Sequence, residues 1–405
     1  MTDAFLLLIT TPWTLQPDTL LGAAVLLVLA ALVGEVVWRT LGWPRIVGYA
    51  LIGTALALAG RGARGDEPAL RLAIDVALAM LLFEAGARLN LRWLARNPWL
   101  LATSLAEALL TGIAVFAAMR WLGLTREVAA PLALIAVCVS PAVVQRVAGE
   151  YGAAGQVTER LLALSALNTL YAVLAMKLMS AGMLLSDPGT WLEALPPVLF
   201  SFCGSILLGA ALGEGLALIA RRLDLREENP MVLLLGALLL ALVLAKTLRL
   251  SPLLVPLLAG IWLTNRSERP WVWPRHFGSA GGLLVLVLFV SVGSAWSVDA
   301  VAGAMVTALA LVGARAAAKS LSVFAFARPS GLGWRQAAVL GGALLPMSAT
   351  AWVLGLEFAQ RHPLPGAQAM PVLLGAIALL ELVAPLVVMA CLRAAGEIDT
   401  KRGAK

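Results

Sequence analysis

Charge is what this chain has least of. Only 13% of its 405 residues are Asp, Glu, Lys or Arg, against 61% hydrophobic ones, whereas soluble globular chains run near a quarter charged. A polar coat of ordinary size cannot be assembled from so few groups, so length here counts membrane-crossing helices rather than soluble domains. Histidine is scarcer still. His276 and His362 are far apart, and neither stands at a ligand spacing from cysteine or a second histidine, so no metal site is expected. The three cysteines, Cys138, Cys203 and Cys391, all fall in apolar stretches; this argues against a disulfide framework and reads as packing. No glycine-rich phosphate loop follows a strand pattern, and paired glycines such as Gly281-Gly282 and Gly341-Gly342 read as places where helices approach closely. With no ATP-hydrolysing motor and no large polar catalytic loops, the chain is not expected to be an enzyme or to carry a cofactor. Any transport must be driven by gradients.

What fills the sequence instead is about thirteen apolar stretches of roughly the 20 residues that a helix needs to cross a bilayer. Lipid forbids unpaired backbone, so such stretches must be helical. They lie near Leu20 to Trp38, Pro44 to Gly60, Ala69 to Ala87, Pro98 to Met119, Val128 to Val147, Leu161 to Leu185 and Leu195 to Ala220. A second set runs near Pro230 to Leu248, Pro252 to Thr264, Gly278 to Trp296, Ala300 to Phe326, Ala337 to Phe358 and Met370 to Leu392. The expected fold is an all-α polytopic membrane protein, one transmembrane domain over residues 1–405. The patch Phe5 to Ile9 has no Lys or Arg before it, which is not the pattern of a cleavable signal peptide.

Placing the N-terminus outside puts most of the 30 Lys and Arg residues in cytoplasmic loops, as the positive-inside rule requires. The C-terminus is then cytoplasmic. The net charge of +7 becomes a topology signal, and nucleic acid is not expected as a partner. An odd number of crossings divides into six, a linker helix and six more, so the halves are inverted repeats, about 20–185 and about 230–392, with the linker about 195–220. Secondary transporters commonly use this design, holding ions near midplane at broken helices. The breakers match: Ser140-Pro141 interrupts the fifth span and Pro346-Met347-Ser348 the twelfth. A kink tolerated by the membrane is the plain alternative for either proline.

These residues carry a resemblance. Gly42-Trp43-Pro44-Arg45-Ile46-Val47-Gly48-Tyr49, Leu81-Leu82-Phe83-Glu84-Ala85-Gly86, Val139-Ser140-Pro141-Ala142-Val143-Val144, Leu161 through Asn168, the pair Arg315 and Lys319, and Glu381-Leu382-Val383-Ala384-Pro385-Leu386 together resemble the monovalent cation:proton antiporter superfamily, with its sodium/hydrogen exchanger and Kef-type potassium efflux branches. They occur in the family's order over nearly the whole chain. The resemblance implies a core domain with crossed discontinuous helices, a dimerisation domain, a homodimer in a bacterial inner membrane, and elevator-like alternating access. The short tail after Leu392 leads us to expect no soluble regulatory domain of the kind some potassium efflux relatives carry.

An antiporter needs a carboxylate that binds either a proton or a cation. In the resembling family this is an aspartate directly after the position matching Asn168; here Thr169 stands there, and Val139 stands where relatives often have a threonine. A hydroxyl offers a lone pair to a cation but does not trade a proton near neutral pH. Site candidates are therefore Asn168, Thr169, Ser165, Ser140, Pro141, Glu84, Arg315, Lys319, Pro346 and Ser348. Arg315 and Lys319 lie one turn apart on one face, and ionisable groups inside a membrane are functional candidates. Arg315 can equally be a fixed clamp, and Lys319 can snorkel to the interface. The sixth span has no acid to pair with them, so Glu84, Glu107, Glu214 and Asp75 are the substitutes, Glu84 first because its motif matches. Lys177 has no evident role; Lys246 reads as interfacial. The expected function is a cation:proton antiporter-like transporter of modified coupling, with monovalent cations, protons and membrane lipid as partners. Anion or small-solute transport and a transport-inactive regulatory protein are the alternatives.

Overall fold

A computed structural model of the chain describes residues 19–60, 68–184, 191–222, 229–266 and 277–398; His276 lies outside them. All regular structure among them is helical. The helices are α1 Thr19–Leu41, α2 Arg45–Leu58, α3 Pro68–Ala87, α4 Leu91–Ala95, α5 Pro98–Trp121, α6 Arg126–Val137, α7 Pro141–Glu150 and α8 Gln156–Leu184. They continue with α9 Trp191–Arg222, α10 Asn229–Thr247, α11 Leu254–Arg266, α12 Phe277–Gly293, α13 Val298–Ala325, α14 Trp334–Ala343, α15 Ala349–Arg361 and α16 Pro363–Ala395.

Each apolar stretch read from the sequence coincides with a helix, and the fifth and twelfth are each split in two, as α6 with α7 and α14 with α15. By length and composition, 7 of the spans among the described residues are long and apolar enough to cross a membrane, and three shorter apolar helices accompany them. The polarity of the molecule is inverted relative to a soluble protein. On α5, Leu105, Leu109 and Ile113 face outward, while Thr103, Ser104, Glu107 and Thr111 are buried on the opposite face; this is what a lipid solvent selects.

The prolines explain the breaks. Pro141 has no N–H to return to the Val137 carbonyl, its ring crowds that carbonyl, and it biases Ser140 away from helix. Ser140 accordingly sits at φ −70°, ψ 105°, with Pro141 opening α7, the helical position that tolerates proline. Pro346 does the same within the extended run between α14 and α15, and Ser140 N–H donates to the Pro346 carbonyl at 2.9 Å. The two unwound segments therefore cross.

Two of the family-like motifs turn out to be packing devices. Gly42 closes α1 in the left-handed conformation, φ 63°, a common glycine role, and a Cβ on Gly48 would come within 2.5 Å of the Gly34 Cα, so α1 and α2 are in backbone contact. A Cβ on Gly86 would collide with the Leu257 carbonyl, and one on Gly260 with the Phe83 carbonyl, so α3 and α11 cross just as closely. Gly341 likewise meets Ser320, whereas Gly282 has open space beside it. The Glu397 carboxylate, just beyond α16, accepts from Val157 N–H at 2.8 Å and from Thr158 N–H and Oγ1 at 2.7 Å. It caps the N-terminus of α8, where a negative group is favoured.

Candidate functional site

Breaking a helix leaves carbonyls without donors, and Arg315 supplies them. Its side chain is 0% exposed. Nε donates to Ala136 O at 2.7 Å, Nη2 to Cys138 O at 2.7 Å, to Pro346 O at 3.1 Å and to Leu344 O at 3.4 Å, and Nη1 to Leu345 O. One planar fork thus caps the C-terminal ends of both α6 and α14, where helix dipoles favour a cation. The expected acidic partner is replaced by backbone oxygens.

Lys319, one turn further along α13, is also 0% exposed, so it does not snorkel. Its Nζ bonds Glu107 Oε1 on α5 and donates to Val137 O at 3.1 Å. Glu107, likewise fully buried, accepts from Thr111 Oγ1 at 3.2 Å and from Asn168 Nδ2 on α8. Asn168 Oδ1 has no partner among the described residues. This carboxylate–ammonium pair, with one amide beside it, is the sole acid–base pair of opposite charge found at 0% exposure on both sides among the described residues.

Thr169, fully buried, places its hydroxyl 2.8 Å from Ser165 O and 2.9 Å from Val139 O, with Cys138 Sγ at 3.7 Å. It fastens α8 to the unwound segment of the fifth span. The Ser165 hydroxyl turns back to Leu162 O at 2.8 Å. Ser140 and Ser348 open α7 and α15; both are buried, and their hydroxyls are without partners among the described residues. The structure therefore gathers Asn168, Thr169, Ser140, Pro141, Arg315, Lys319, Pro346 and Ser348 about the crossing.

Glu84 is not among them. It pairs at 2.8 Å with Arg88, one residue past the end of α3; Arg88 is exposed and Glu84 half-buried. The acid beside the basic residues is Glu107, because its helix, α5, packs on α13. Asp75 pairs with Lys246, whose side chain is half exposed. Glu214 accepts from Trp262 Nε1 at 2.9 Å and lies 3.4 Å from Arg266 Nε. Lys177, without a role in the sequence reading, pairs with Glu357 of α15 at 2.9 Å. The cysteines are free thiols, Cys138 buried, Cys391 half-buried and Cys203 exposed. His362 stacks near Phe358, ring centroids 5.2 Å apart, and among the described residues no cluster of three or more His, Cys, Asp or Glu side chains could hold a metal ion. Glu381, on α16, was seen in the sequence only as part of a motif; it is 1% exposed, and neither carboxyl oxygen has a partner among the described residues.

A family model described as the transmembrane sodium/hydrogen exchanger matches residues 25–394. The fold is shared with the sodium proton antiporter MjNhaP1 from Methanocaldococcus jannaschii in two solved structures, both 17% identical in sequence. The structure at pH 8 superposes with a TM-score of 0.65, covering 92% of this chain and 97% of that one. The structure from electron microscopy gives 0.71, covering 93% and 96%. No curated protein sequence matches the chain.

Proposed function

Because the chain belongs to the sodium/hydrogen exchanger family, we propose that it is a cation:proton antiporter in which the buried Glu107–Lys319 pair takes the part of a carboxylate on α8. The observation that carries this reading is the pair itself, an ammonium and a carboxylate both at 0% exposure beside the crossing of two broken helices. From Leu161 onward α8 holds no acid, so competition between proton and cation needs another carboxylate, and Glu107 is the one in place.

The exchange follows from charge. With Lys319 protonated, Glu107 is neutralised and no cation is drawn to it. A cation that reaches Glu107 takes over the neutralising role, with the unpaired Asn168 Oδ1 as a second oxygen ligand, and Lys319 then releases its proton, since two cations against one buried carboxylate are mutually repelled. One positive charge enters as one leaves. Arg315, which does not deprotonate, keeps the broken helix ends fixed while this happens. The reading includes a homodimer with its N-terminus outside and its C-terminus cytoplasmic, built from two inverted six-helix repeats that move as an elevator.

Proteoliposome flux with an imposed pH gradient, run across a panel of monovalent cations, tests it. Wild-type protein is expected to move protons only when a suitable cation is present, and Glu107→Gln to lose this coupling while inserting normally. Undiminished cation-dependent flux in Glu107→Gln would remove the pair from the mechanism.

A further inference from the structure

Two helices begin at the crossing with nothing to cap them. Neither α7 nor α15 has an acid in its first turn, and neither N-cap serine bonds its own helix. The side chains of Ser140 and Ser348 are 1% and 2% exposed, yet both hydroxyls lack a partner among the described residues. The two segments that carry these serines meet, since Ser140 N–H donates at 2.9 Å to Pro346 O, two residues before Ser348. An unsatisfied buried polar group is costly, and such orphans are rare in native structures. Here two occur together, each at the positive end of a helix whose first N–H groups also lack intrahelical acceptors.

The charge balance decides what they hold. Glu107 offsets Lys319. Arg315 is offset by the carbonyl ends of α6 and α14, each equivalent to about half a negative charge. Glu381, buried on α16 with no partner among the described residues, counts as a neutral carboxyl, because an isolated buried carboxylate neutralises rather than hold its charge. What remains is the start of α7 and the start of α15, about half a positive charge each, with no acid on α8 within reach. The excess is about one unit. A further cation lodged at the serines would add to it, whereas a small anion cancels it.

We propose that the crossing binds one small monovalent anion of the halide class, held by the Ser140 and Ser348 hydroxyls and the first-turn N–H groups of α15. The anion brings the negative charge that the α8 backbone neighbourhood otherwise lacks, and so permits a cation to approach Glu107. This rests on the antiporter reading above and names a co-ligand for it.

Two measurements on the full-length protein separate the claims. Bromide binding to the purified protein is followed by calorimetry, and cation-driven proton flux in proteoliposomes is compared in chloride and in gluconate. Bromide is expected to bind the wild type, and Ser348→Ala to weaken it by about tenfold or more, the worth of one hydrogen bond to a charged group. Flux is expected to fall in gluconate, and Ser348→Asp, which builds in the missing charge, to make it independent of halide. No bromide binding and equal flux in both salts would overturn the halide site while leaving antiport intact. Bromide binding with halide movement that needs no cation would keep the site and overturn the antiport reading.

Discussion

At Arg315 the distinction between a guanidinium and an ammonium settles what the residue does. Five carbonyls from two different broken helices converge on it, in a fork geometry that lysine, a point charge with three rotatable donors, cannot reproduce. Arg315→Lys keeps the charge but is expected to lower stability by about 3 kcal/mol or more, through carbonyls left buried and unpaired; thermal unfolding in detergent measures it, and an unchanged midpoint would show that the fork is dispensable. That Arg315 and Lys319 matter was legible in the sequence, because ionisable side chains stand out in apolar helices. Their partners were less so. Backbone carbonyls leave no mark in a sequence, and the weight given to Glu84 came from its motif, which the structure explains by the close approach at Gly86. The spacing of Thr103, Glu107 and Thr111 by four, opposite Leu105, Leu109 and Ile113, was the available signal for Glu107: one polar face on a helix otherwise turned to lipid. Glu84→Gln, which touches the pair with the exposed Arg88 and not the crossing, should leave cation-dependent proton flux near wild type; a loss equal to that of Glu107→Gln would give Glu84 a part.

Among the elements, both helix breaks followed from local chemistry. Proline's missing N–H and its effect on the preceding residue locate the breaks, with α6 ending at Val137 before Pro141 and α14 at Ala343 before Pro346, and the long apolar stretches could hardly be anything but helices. What sequence could not supply was which helices touch, since lipid-facing and protein-facing apolar surfaces look alike when both are Leu, Val and Ala. Glycines reveal some contacts only in hindsight. The α3–α11 crossing is the sharpest case, with Gly86 and Gly260 each against the other helix's backbone, and small residues are how membrane helices approach without a hydrophobic drive between them. Gly86→Leu is therefore expected to force the helices apart and reduce the yield and melting temperature of the folded protein. Gly236→Leu, on α10 with no atom within 4 Å of its Cβ position, is the matched control and should be near neutral; equal damage from both would mean that glycine helix content, not the crossing, is what counts.

For the molecule as a whole, the balance of charge turns on the crossing, where Arg315 holds the negative ends of α6 and α14 and Glu107 holds the Lys319 ammonium, while the starts of α7 and α15 have no acid in their first turns. Thr169 is where that balance can be tipped by one atom set. Its hydroxyl now spans Ser165 O and Val139 O, a purely structural link that aspartate, an acceptor when ionised, cannot make. Thr169→Asp should therefore cost some stability through the released Val139 carbonyl, about 1–3 kcal/mol, and at the same time place a carboxylate beside the cationic centre. A second carboxylate added to the site that already holds Glu107 and Lys319 widens the choice of where a proton or a cation can sit, so cation-dependent proton flux is expected to rise, or to appear where the wild type shows little, and its dependence on halide to weaken. The assay is the same proteoliposome flux, with circular dichroism and gel filtration confirming a folded protein. A folded Thr169→Asp protein with no gain in any cation would show that the basic helix serves a cycle in which a carboxylate on α8 has no place, and that the charge this site lacks is supplied by other means.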